Sequence, residues 1–521
     1  MNTSQQATAP DAAVAPTAAI NGNNGHADGN SNGTSNASAA TPPSISLPKG
    51  GGAIRGIGEK FSANPATGTG SMSVPLPLSP GRSNFGPELQ LSYDSGSGNG
   101  PFGIGWSLSL PTITRKTDKG LPQYLDHDDS DVFVLSGAED LVPILVETMT
   151  GWERETPPVR NINGEDFRVE RYRPRVEGLF SRIERWTSLQ SGESHWRSIT
   201  RSNVTTLYGT TDNSRVFSFA DNDPQQAKQI FSWLISETYD DRGNAVVYEY
   251  AEENDDNVDL SLVSERNRLR TANRYVKRIR YGNRTSRLVQ PDLSLTQWLF
   301  ELVFDYDEDH HEILPLDPNL AANAQHQFVH AASRSGVSWA VRPDPFSAHR
   351  SGFEVRTYRR CRRALMFHRF DELGPEPYLV RSLEFDYQDF DYSQSHTTDD
   401  ELNHQGSTRF ASFIRAIRQS GYVRDDAQPV VQRNGINYFT YLRKSFPPLE
   451  FEYSKAVITD DIRELDASSV ENLPIGIDGT SYQFVDLDGE GISGVLAEQA
   501  ASWFYKPNLG NGQFGDIQVM D

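Results

Sequence analysis

The chain has 521 residues, 36% hydrophobic and 23% charged, so it is long enough for two to four structural units. Its formal net charge of −21 disfavours a nucleic-acid-binding protein, which would need a basic face, and its single cysteine excludes an intrachain disulfide. No apolar run reaches the roughly 18 residues of a transmembrane segment, and no ordinary secretion signal is visible. Any export from the cytoplasm, where the chain is made, would therefore use a non-classical route.

Residues 1–44 consist mainly of Ala, Ser, Thr, Asn and Gly. Such a segment buries too little apolar area to offset the entropy lost on ordering the chain, so we predict a disordered low-complexity tail. An ordered β domain is predicted over residues 45–455. A polar linker at 456–475 then leads to a last unit at 476–521.

The segment from Phe61 to Thr112 contains three predicted strands separated by glycine-rich turns. Apolar residues alternate with polar ones, as expected of strands with one buried face, at Met72–Leu78, Glu88–Tyr93 and Trp106–Leu110. The loop Ser95–Gly105 is dense in glycine, which tolerates positive φ and close backbone approach. We therefore predict a tight, glycine-dependent turn in this loop.

Alternating segments recur through the rest of the domain and predict antiparallel sheets with one polar face. The clearest hairpin is Phe231–Tyr250, where Gly243 and Asn244 can adopt left-handed conformations. Asn319–Ser335 is a possible helix, and Ser412–Gly421 suits a helix or a strand equally. The predicted fold class is therefore mainly β, built from antiparallel strands and hairpins.

Candidate catalytic motifs are weak. Glu450 and Glu452 match the E-x-E pair of some ADP-ribosyltransferases, but strand alternation also produces this spacing, and no convincing Ser-Thr-Ser strand accompanies it. Asp126–Asp131 lacks the glycine and the distal glutamate of a calcium loop, which favours a solvated turn. Cys361 is interpreted as a buried strand thiol. With no H-E-x-x-H, G-x-S-x-G or phosphate-binding loop present, we predict that the chain is not an enzyme.

One acidic loop near the C-terminus is a candidate metal site. Asp486, Asp488 and Glu490 stand at alternate positions, an arrangement that can gather carboxylate oxygens around calcium. The glycine of this loop comes one residue earlier than in the usual calcium loop. The alternative is a tight turn between strands at Tyr482–Val485 and Gly494–Leu496. No other cofactor is predicted.

Several segments resemble the SpvB/TcB family, which comprises the B components of insecticidal toxin complexes and the N-terminal part of the Salmonella virulence protein SpvB. The longest is GTGSMSVPLPLSPGRSNFGPELQLSYDSGSGNGPFGIGWSLSLPTITR, and YRPRVEGLFSRIERW and TYDDRGN fit the same family. TYDDRGN also resembles a single YD (RHS-type) repeat unit. VDLDGEGISGVL and WFYKPNLGNGQFG resemble the FG-GAP/VCBS-like blades that begin the family's β-propeller. Together the resemblance covers residues 45–521.

The resemblance implies a structural role. In such complexes the B component joins a C component in a hollow β-shell of RHS/YD type around a toxic payload, and its propeller docks on the A component, a translocation channel. On this hypothesis the chain is a secreted, non-catalytic assembly protein whose partners are the A and C components. Because the chain ends at Asp521, just after the predicted first blade, we expect a fragment or one piece of a split system.

Alternative functions remain open from the sequence. The chain could be the N-terminal carrier domain of an SpvB-type ADP-ribosyltransferase toxin without its catalytic part. It could be an extracellular adhesion module that binds calcium at residues 486–491. It could also be an enzyme, for example a transferase, whose site is assembled from residues distant in sequence. That last hypothesis requires a cleft with paired carboxylates or a perturbed histidine.

Overall fold

The computed structural model describes residues 57–64, 69–136, 140–162, 164–178, 180–315, 327–388, 411–453, 464–473, 481–487 and 492–520. The predicted disordered tail lies outside these residues. Within them the chain is built almost entirely from antiparallel strands, which confirms the predicted mainly β class. No helix in the described ranges is long and apolar enough to cross a bilayer.

The N-terminal segment forms a four-stranded sheet in the order β1-β2-β3-β6, with a small β4–β5 hairpin beside it. The predicted strands are confirmed, with boundaries shifted by a few residues. Val74, Leu91 and Trp106 point into the core at 0–2% exposure, as the alternation predicts. The strands are β1 (Lys60–Asn64), β2 (Thr69–Pro75), β3 (Gln90–Asp94), β4 (Asn99–Gly100), β5 (Gly103–Ile104) and β6 (Trp106–Leu108).

The glycine-dense loop makes a tight turn against a distant part of the chain. The Ile104 amide donates to the Ser412 carbonyl at 2.9 Å. Gly103 has φ of 86°, and a Cβ there would lie 2.5 Å from the same carbonyl oxygen. Gly105 has φ of 78°, and a Cβ there would lie 2.4 Å from the Tyr93 ring. Both positions therefore require glycine for conformation and for space.

The next twelve strands carry the chain through a barrel. They are β7 (Thr112–Arg115), β8 (Phe133–Leu135), β9 (Asp140–Pro143), β10 (Leu145–Thr148), β11 (Gly151–Arg154), β12 (Val159–Ile162), β13 (Glu165–Pro174), β14 (Arg182–Ser188), β15 (Ser194–Ile199), β16 (Thr205–Tyr208), β17 (Arg215–Phe219) and β18 (Lys228–Tyr239).

Eight of these strands close into a ring. Pairing runs from β7 through β8, β9, β13, β14, β15 and β16 to β18. Ser232–Leu234 of β18 then pairs back with Thr112–Thr114 of β7. A ring of this size is wide enough for side chains to fill its interior. Phe133 occupies it, with ring centroids 5.0 Å from Trp196, 5.7 Å from Trp233 and 6.1 Å from Tyr172.

Two arginines that pack on these aromatic rings pair with two aspartates of the turn between β7 and β8. Arg115 Nη1 donates to Asp126 at 2.6 Å and to Asp131 at 2.7 Å, and Arg185 also pairs with Asp126. Burial alone would raise the pKa of Asp126, but the hydrogen bonds and charges of Arg115 and Arg185 outweigh it and lower the pKa to about 2. The acidic run Asp126–Asp131 does form a turn, yet the Asp131 side chain is only 5% exposed and Asp126, 30% exposed, is paired with two buried arginines.

A long open sheet continues from β18. Its strands are β19 (Ala245–Glu252), β20 (Arg274–Asn283), β21 (Trp298–Asp305), β22 (His311–Ile313), β23 (Gln327–Ala331), β26 (Arg363–His368), β27 (Tyr378–Tyr387), β28 (Ile414–Arg424), β29 (Val431–Arg433), β30 (Ile436–Ser445) and β31 (Leu449–Glu450), and β24 (Phe346–Ala348) and β25 (Val355–Thr357) form a separate pair. Single 3₁₀ turns lie at Arg82–Asn84, Asp126–Asp128, Asp212–Ser214, Ala220–Asn222, Val263–Glu265, Leu293–Leu295 and Asp371–Leu373.

The predicted hairpin and the two possible helices have different outcomes. β18 and β19 form the hairpin, with Gly243 at φ of 79°, whereas Asn244 keeps a negative φ and donates its side-chain amide to Asp240 at 2.7 Å. Residues 327–331 of the possible helix form β23, because Val329 and Ala331 alternate into the core against β30. The ambiguous segment near residue 414 is the strand β28.

Replacing Gly103 by Val tests the glycine-dependent turn. We expect the free energy of unfolding to fall by at least about 2 kcal/mol, because the side chain meets the Ser412 carbonyl in a left-handed conformation. The measurement is urea denaturation together with soluble yield. Gly98→Val in the same loop is the control, since a Cβ at Gly98 meets no atom within 4 Å. Equal stability of the two variants would contradict this role.

Replacing Asp126 by Asn tests the charge network in the barrel. We expect a loss of about 2–4 kcal/mol in the free energy of unfolding at pH 7, because Arg115 and Arg185 keep their charges in a largely buried site. Asp129→Asn removes a carboxylate whose ion pair with Arg154 is 2.7 Å long and solvent-exposed. That control is expected to cost less than about 1 kcal/mol. A similar cost for both variants would show that the barrel does not depend on the network.

Candidate assembly surfaces

The C-terminal unit is a four-stranded antiparallel sheet in the order β32-β33-β34-β37. Its strands are β32 (Tyr482–Val485), β33 (Gly494–Gln499), β34 (Ser502–Lys506) and β37 (Gln518–Met520), with a small β35 (Asn508–Gly510) and β36 (Gln513–Phe514) pair before the last strand. β32 and β33 are the strands that the sequence predicts on either side of the acidic loop. The strands are paired in chain order, so the sheet is a meander, with the β35–β36 pair inserted between β34 and β37.

Both faces of this sheet carry apolar side chains. The register places Phe504 opposite Val519 on one face and Trp503 opposite Met520 on the other. Val519 is 66% exposed and Trp503 is 44% exposed, while Phe484, on the face of Val519, is 58% exposed. A sheet that is apolar on both sides needs covering on both sides, because each exposed apolar area favours removal from water.

A helical turn anchors the sheet. It is α1 (Ala467–Val470), whose preceding residue Asp466 accepts a hydrogen bond from the Ser469 amide at 2.8 Å. Lys506 Nζ donates to the Glu471 carbonyl at 2.6 Å, and the Phe514 amide donates to Ser469 Oγ at 2.9 Å. Part of the predicted linker at 456–475 thus contacts the sheet directly.

The candidate metal ligands fall at the edge of the described residues. Asp486 follows β32 directly, whereas Asp488 and Glu490 lie outside the described ranges. Within those ranges no three His, Cys, Asp or Glu side chains are arranged to hold a metal ion. Calcium binding at this loop stays a prediction.

A buried polar cluster connects four strands of the open sheet. Arg443 Nη2 donates to Glu384 Oε1 at 2.7 Å, and the Tyr422 hydroxyl donates to the same oxygen at 3.2 Å. Tyr422 also contacts His311 Nε2 at 3.0 Å. All four residues are buried. Desolvation lowers the pKa of His311 to about 4, although the Glu384 charge opposes this shift. The cluster is thus enclosed between strands, where its hydrogen bonds hold β22, β27, β28 and β30 together.

A serine–histidine pair also occurs outside this cluster. Ser79 Oγ lies 2.7 Å from His368 Nε2. Burial and the Arg381 charge lower the pKa of His368 to about 4, and its ring packs edge-on against Phe300 and Phe370. In the described part of the chain no carboxylate bonds the other ring nitrogen. The Ser79–His368 hydrogen bond therefore links the N-terminal segment to β26. It lacks the carboxylate that orients the histidine of a catalytic triad.

The cleft beside the glycine-dense loop has a volume of roughly 380 Å³ and a charged lining. Arg342 Nε donates to Asp344 at 2.8 Å, and Asp344 accepts hydrogen bonds from the amide and the hydroxyl of Ser412, both at 2.6 Å. Arg360 Nη1 donates to Ser412 Oγ at 2.9 Å. These hydrogen bonds link the cleft lining, and Arg342 Nη1 fixes the loop by donating to the Gly100 carbonyl at 2.8 Å. Cys361, close by, is fully buried with a raised thiol pKa caused by desolvation, as predicted, but it lies before β26 and not in a strand.

The closed barrel, the open sheet that shares β18 with it and the exposed C-terminal sheet define a large all-β protein. The family model of SpvB, described as Salmonella virulence plasmid 65kDa B protein, matches residues 64–370. The chain belongs to the SpvB family, and the resemblance seen in the sequence is confirmed.

Relatives and solved structures agree with this assignment. The mono(ADP-ribosyl)transferase SpvB of Salmonella choleraesuis strain SC-B67 is 38% identical over 69% of this chain and 56% of its own length. The chain thus spans about half the length of the curated relatives it matches. The N-terminal domain of effector protein SpvB from Salmonella typhimurium strain LT2 is 35% identical, with a TM-score of 0.54, over 67% of this chain and 98% of that domain.

Structures of toxin complexes match a larger part of the chain. The match to the TcdB2-TccC3 structure spans 92% of this chain and 21% of the TcdB2-TccC3 chain, at 29% identity and a TM-score of 0.62. The match to the Photorhabdus luminescens Tc holotoxin pore spans 92% of this chain and 20% of the holotoxin chain, at 30% identity and a TM-score of 0.61. The likeness to toxin-complex structures thus extends over more of the chain than the likeness to the SpvB N-terminal domain.

Replacing His311 by Gln tests how the buried cluster makes the stability of the fold depend on pH. The pKa of His311 is about 4 in the folded chain and about 6.5 unfolded, so the unfolded state binds more protons and stability falls as pH drops from about 6.5 to 4. Between pH 7 and 5 this histidine accounts for a loss of about 2 kcal/mol. We expect H311Q to lose less stability over that interval in urea denaturation, and an unchanged pH slope would contradict the assignment.

Proposed function

We propose that the chain is a non-catalytic component of a toxin complex, the N-terminal part of a B-type subunit. The observation that carries this proposal is the extent of the likeness to TcdB2-TccC3, which reaches 92% of the chain. The curated SpvB relatives, by contrast, match 69% of this chain and only 56% of their own length. The difference favours a B-type subunit over the N-terminal carrier domain of an SpvB-type ADP-ribosyltransferase.

In this role the barrel and the open sheet contribute a wall of the shell around a payload. The partners are then a C component of the TccC3 kind and the translocation channel of the holotoxin. The chain would leave the cell by a non-classical route. The absence of catalysis is supported by enclosed or mutually paired titratable groups, such as His311 and Glu384.

The C-terminal sheet is proposed to be the first blade of a β-propeller. A propeller blade is a four-stranded antiparallel meander whose faces are covered by neighbouring blades. The two apolar faces of the β32–β37 sheet, with Val519 and Trp503 exposed on opposite sides, fit this architecture. The segment between β32 and β33, which contains Asp486, Asp488 and Glu490, is the proposed calcium site. Calorimetric titration of calcium into the full chain tests it.

Complex formation tests the assembly role. We expect the chain co-expressed with TccC3 to co-elute on size exclusion and to show shell-like particles by electron microscopy. An NAD-dependent ADP-ribosylation assay of the purified chain is expected to show no transfer, with a full-length SpvB as the positive control. If the chain is a stable monomer that does not bind TccC3, the assembly role is contradicted. If it transfers ADP-ribose from NAD, the enzyme hypothesis is favoured instead.

A further inference from the structure

The chain leaves the barrel wall between β9 and β12 and projects as the β10–β11 hairpin. The Ile144 amide donates to the Arg171 carbonyl at 2.9 Å where the chain departs, and the Val169 amide donates to the Pro158 carbonyl at 3.0 Å where it returns. Among the described strands, β10 and β11 pair only with each other. A free two-stranded hairpin is marginally stable in water, so a bound partner would stabilise this one.

Large apolar side chains of the hairpin face solvent. Met149 at the turn is fully exposed, and Trp152 is 67% exposed. Leu145 and Val146 are 44% and 38% exposed. The register puts Val146 opposite Glu153 and Trp152 on the other face, so both faces present apolar groups. Trp and Met are enriched at the buried centres of protein interfaces, which makes the hairpin a candidate for insertion into a groove.

The neighbouring strand β12 extends the same surface. Val159 and Ile162 at its two ends are 59% and 44% exposed. β12 pairs with β13 through one edge, and no strand in the described ranges pairs with the other edge. The hairpin and β12 therefore expose apolar side chains to solvent along one continuous part of the chain. β12 also leaves the backbone groups of one strand edge unpaired.

The charge around the hairpin identifies the kind of partner. Residues 145–154 of the hairpin contain two acidic side chains and one basic side chain. Glu147 and Glu153 are exposed on the hairpin, and Arg154 is engaged with Asp129 at 2.7 Å. An anionic surface of this kind attracts a cationic one and repels a second copy of a chain whose net charge is −21. Anionic lipid headgroups are disfavoured for the same reason.

We propose that the β10–β11 hairpin is a docking element for a protein partner with an apolar groove bordered by lysine or arginine. Met149 and Trp152 would fill the groove, and Glu147 and Glu153 would face its basic rim. The inference rests on the proposed assembly role, which supplies a C component of the TccC3 kind as the partner to be tested. It adds to that role the surface through which the partner is held.

The test compares binding of purified TccC3 by the full-length chain and by two double variants in biolayer interferometry. Met149→Glu with Trp152→Glu removes the apolar tip, and we expect binding at least tenfold weaker. Leu288→Glu with Val289→Glu is the matched control, because these residues are 68% and 77% exposed on another loop. The control is expected to bind within twofold of the unchanged chain. Equal circular dichroism spectra and melting temperatures confirm that each protein is folded.

A charge-reversal variant addresses the basic rim without touching the apolar tip. Glu147→Lys with Glu153→Lys is expected to slow association several-fold at low salt and to reduce the dependence of the association rate on ionic strength. Because both residues are exposed, this variant is expected to fold like the unchanged chain. An association rate that does not change would overturn the proposed basic rim.

The outcomes separate the inference from the assembly role. If TccC3 binds the chain and the tip variant binds equally well, the hairpin is not the docking element and the assembly role stands. If TccC3 binds no form of the chain, both ideas fall. Binding of the unchanged chain to phosphatidylcholine vesicles, or its dimerisation, lost only in the tip variant, would replace the protein partner by a membrane or by a second copy.

Discussion

The structure depends on β18, one strand that belongs to two sheets. Its residues Ser232–Leu234 pair with β7 and close the barrel, while Glu237–Tyr239 pairs with β19 and begins the open sheet. Trp233 stands where the barrel closes, packed against Phe133 and Trp196, and its indole N–H donates to the Ser194 carbonyl at 2.7 Å. A register shift of one residue would turn Trp233 out of the barrel and misalign the open sheet at once. The register of both sheets is therefore set together.

Buried charge is accommodated in the same way in both halves of the domain. In the barrel, Asp126 forms ion pairs with two arginines. In the open sheet, Glu384 accepts hydrogen bonds from Arg443 and from the Tyr422 hydroxyl. Each carboxylate joins strands that are distant in sequence. Since an unpaired buried charge is costly, a strand pairing that separated either carboxylate from its partners would be penalised. This specificity suits a chain with many similar strands of alternating pattern.

The sequence predicted the local structure better than the long-range contacts. Strands around Leu91 and Trp106 followed from alternation, because a period of two reports directly which face is buried. The prediction of a possible helix at residues 319–335 was wrong for the part that forms β23. The Ala and Gln content suggested a helix, whereas the alternating burial of Val329 and Ala331 is that of a strand. The paired role of Asp126 could not be predicted, because Arg185 lies 59 positions away. The exposure of Met149 and Trp152 likewise depends on tertiary contacts that alternation does not report.

The glycine-dense loop also has a consequence for biosynthesis. Its backbone bonds to Ser412, and Trp106 donates to the Tyr453 hydroxyl at 2.9 Å, more than three hundred residues downstream. A ribosome releases the N-terminal sheet long before these partners emerge. Contacts of such high sequence separation form slowly, because the intervening loop must close first. We therefore expect this sheet to complete its native packing late, and its apolar face to stay accessible to chaperones while the downstream segments are translated.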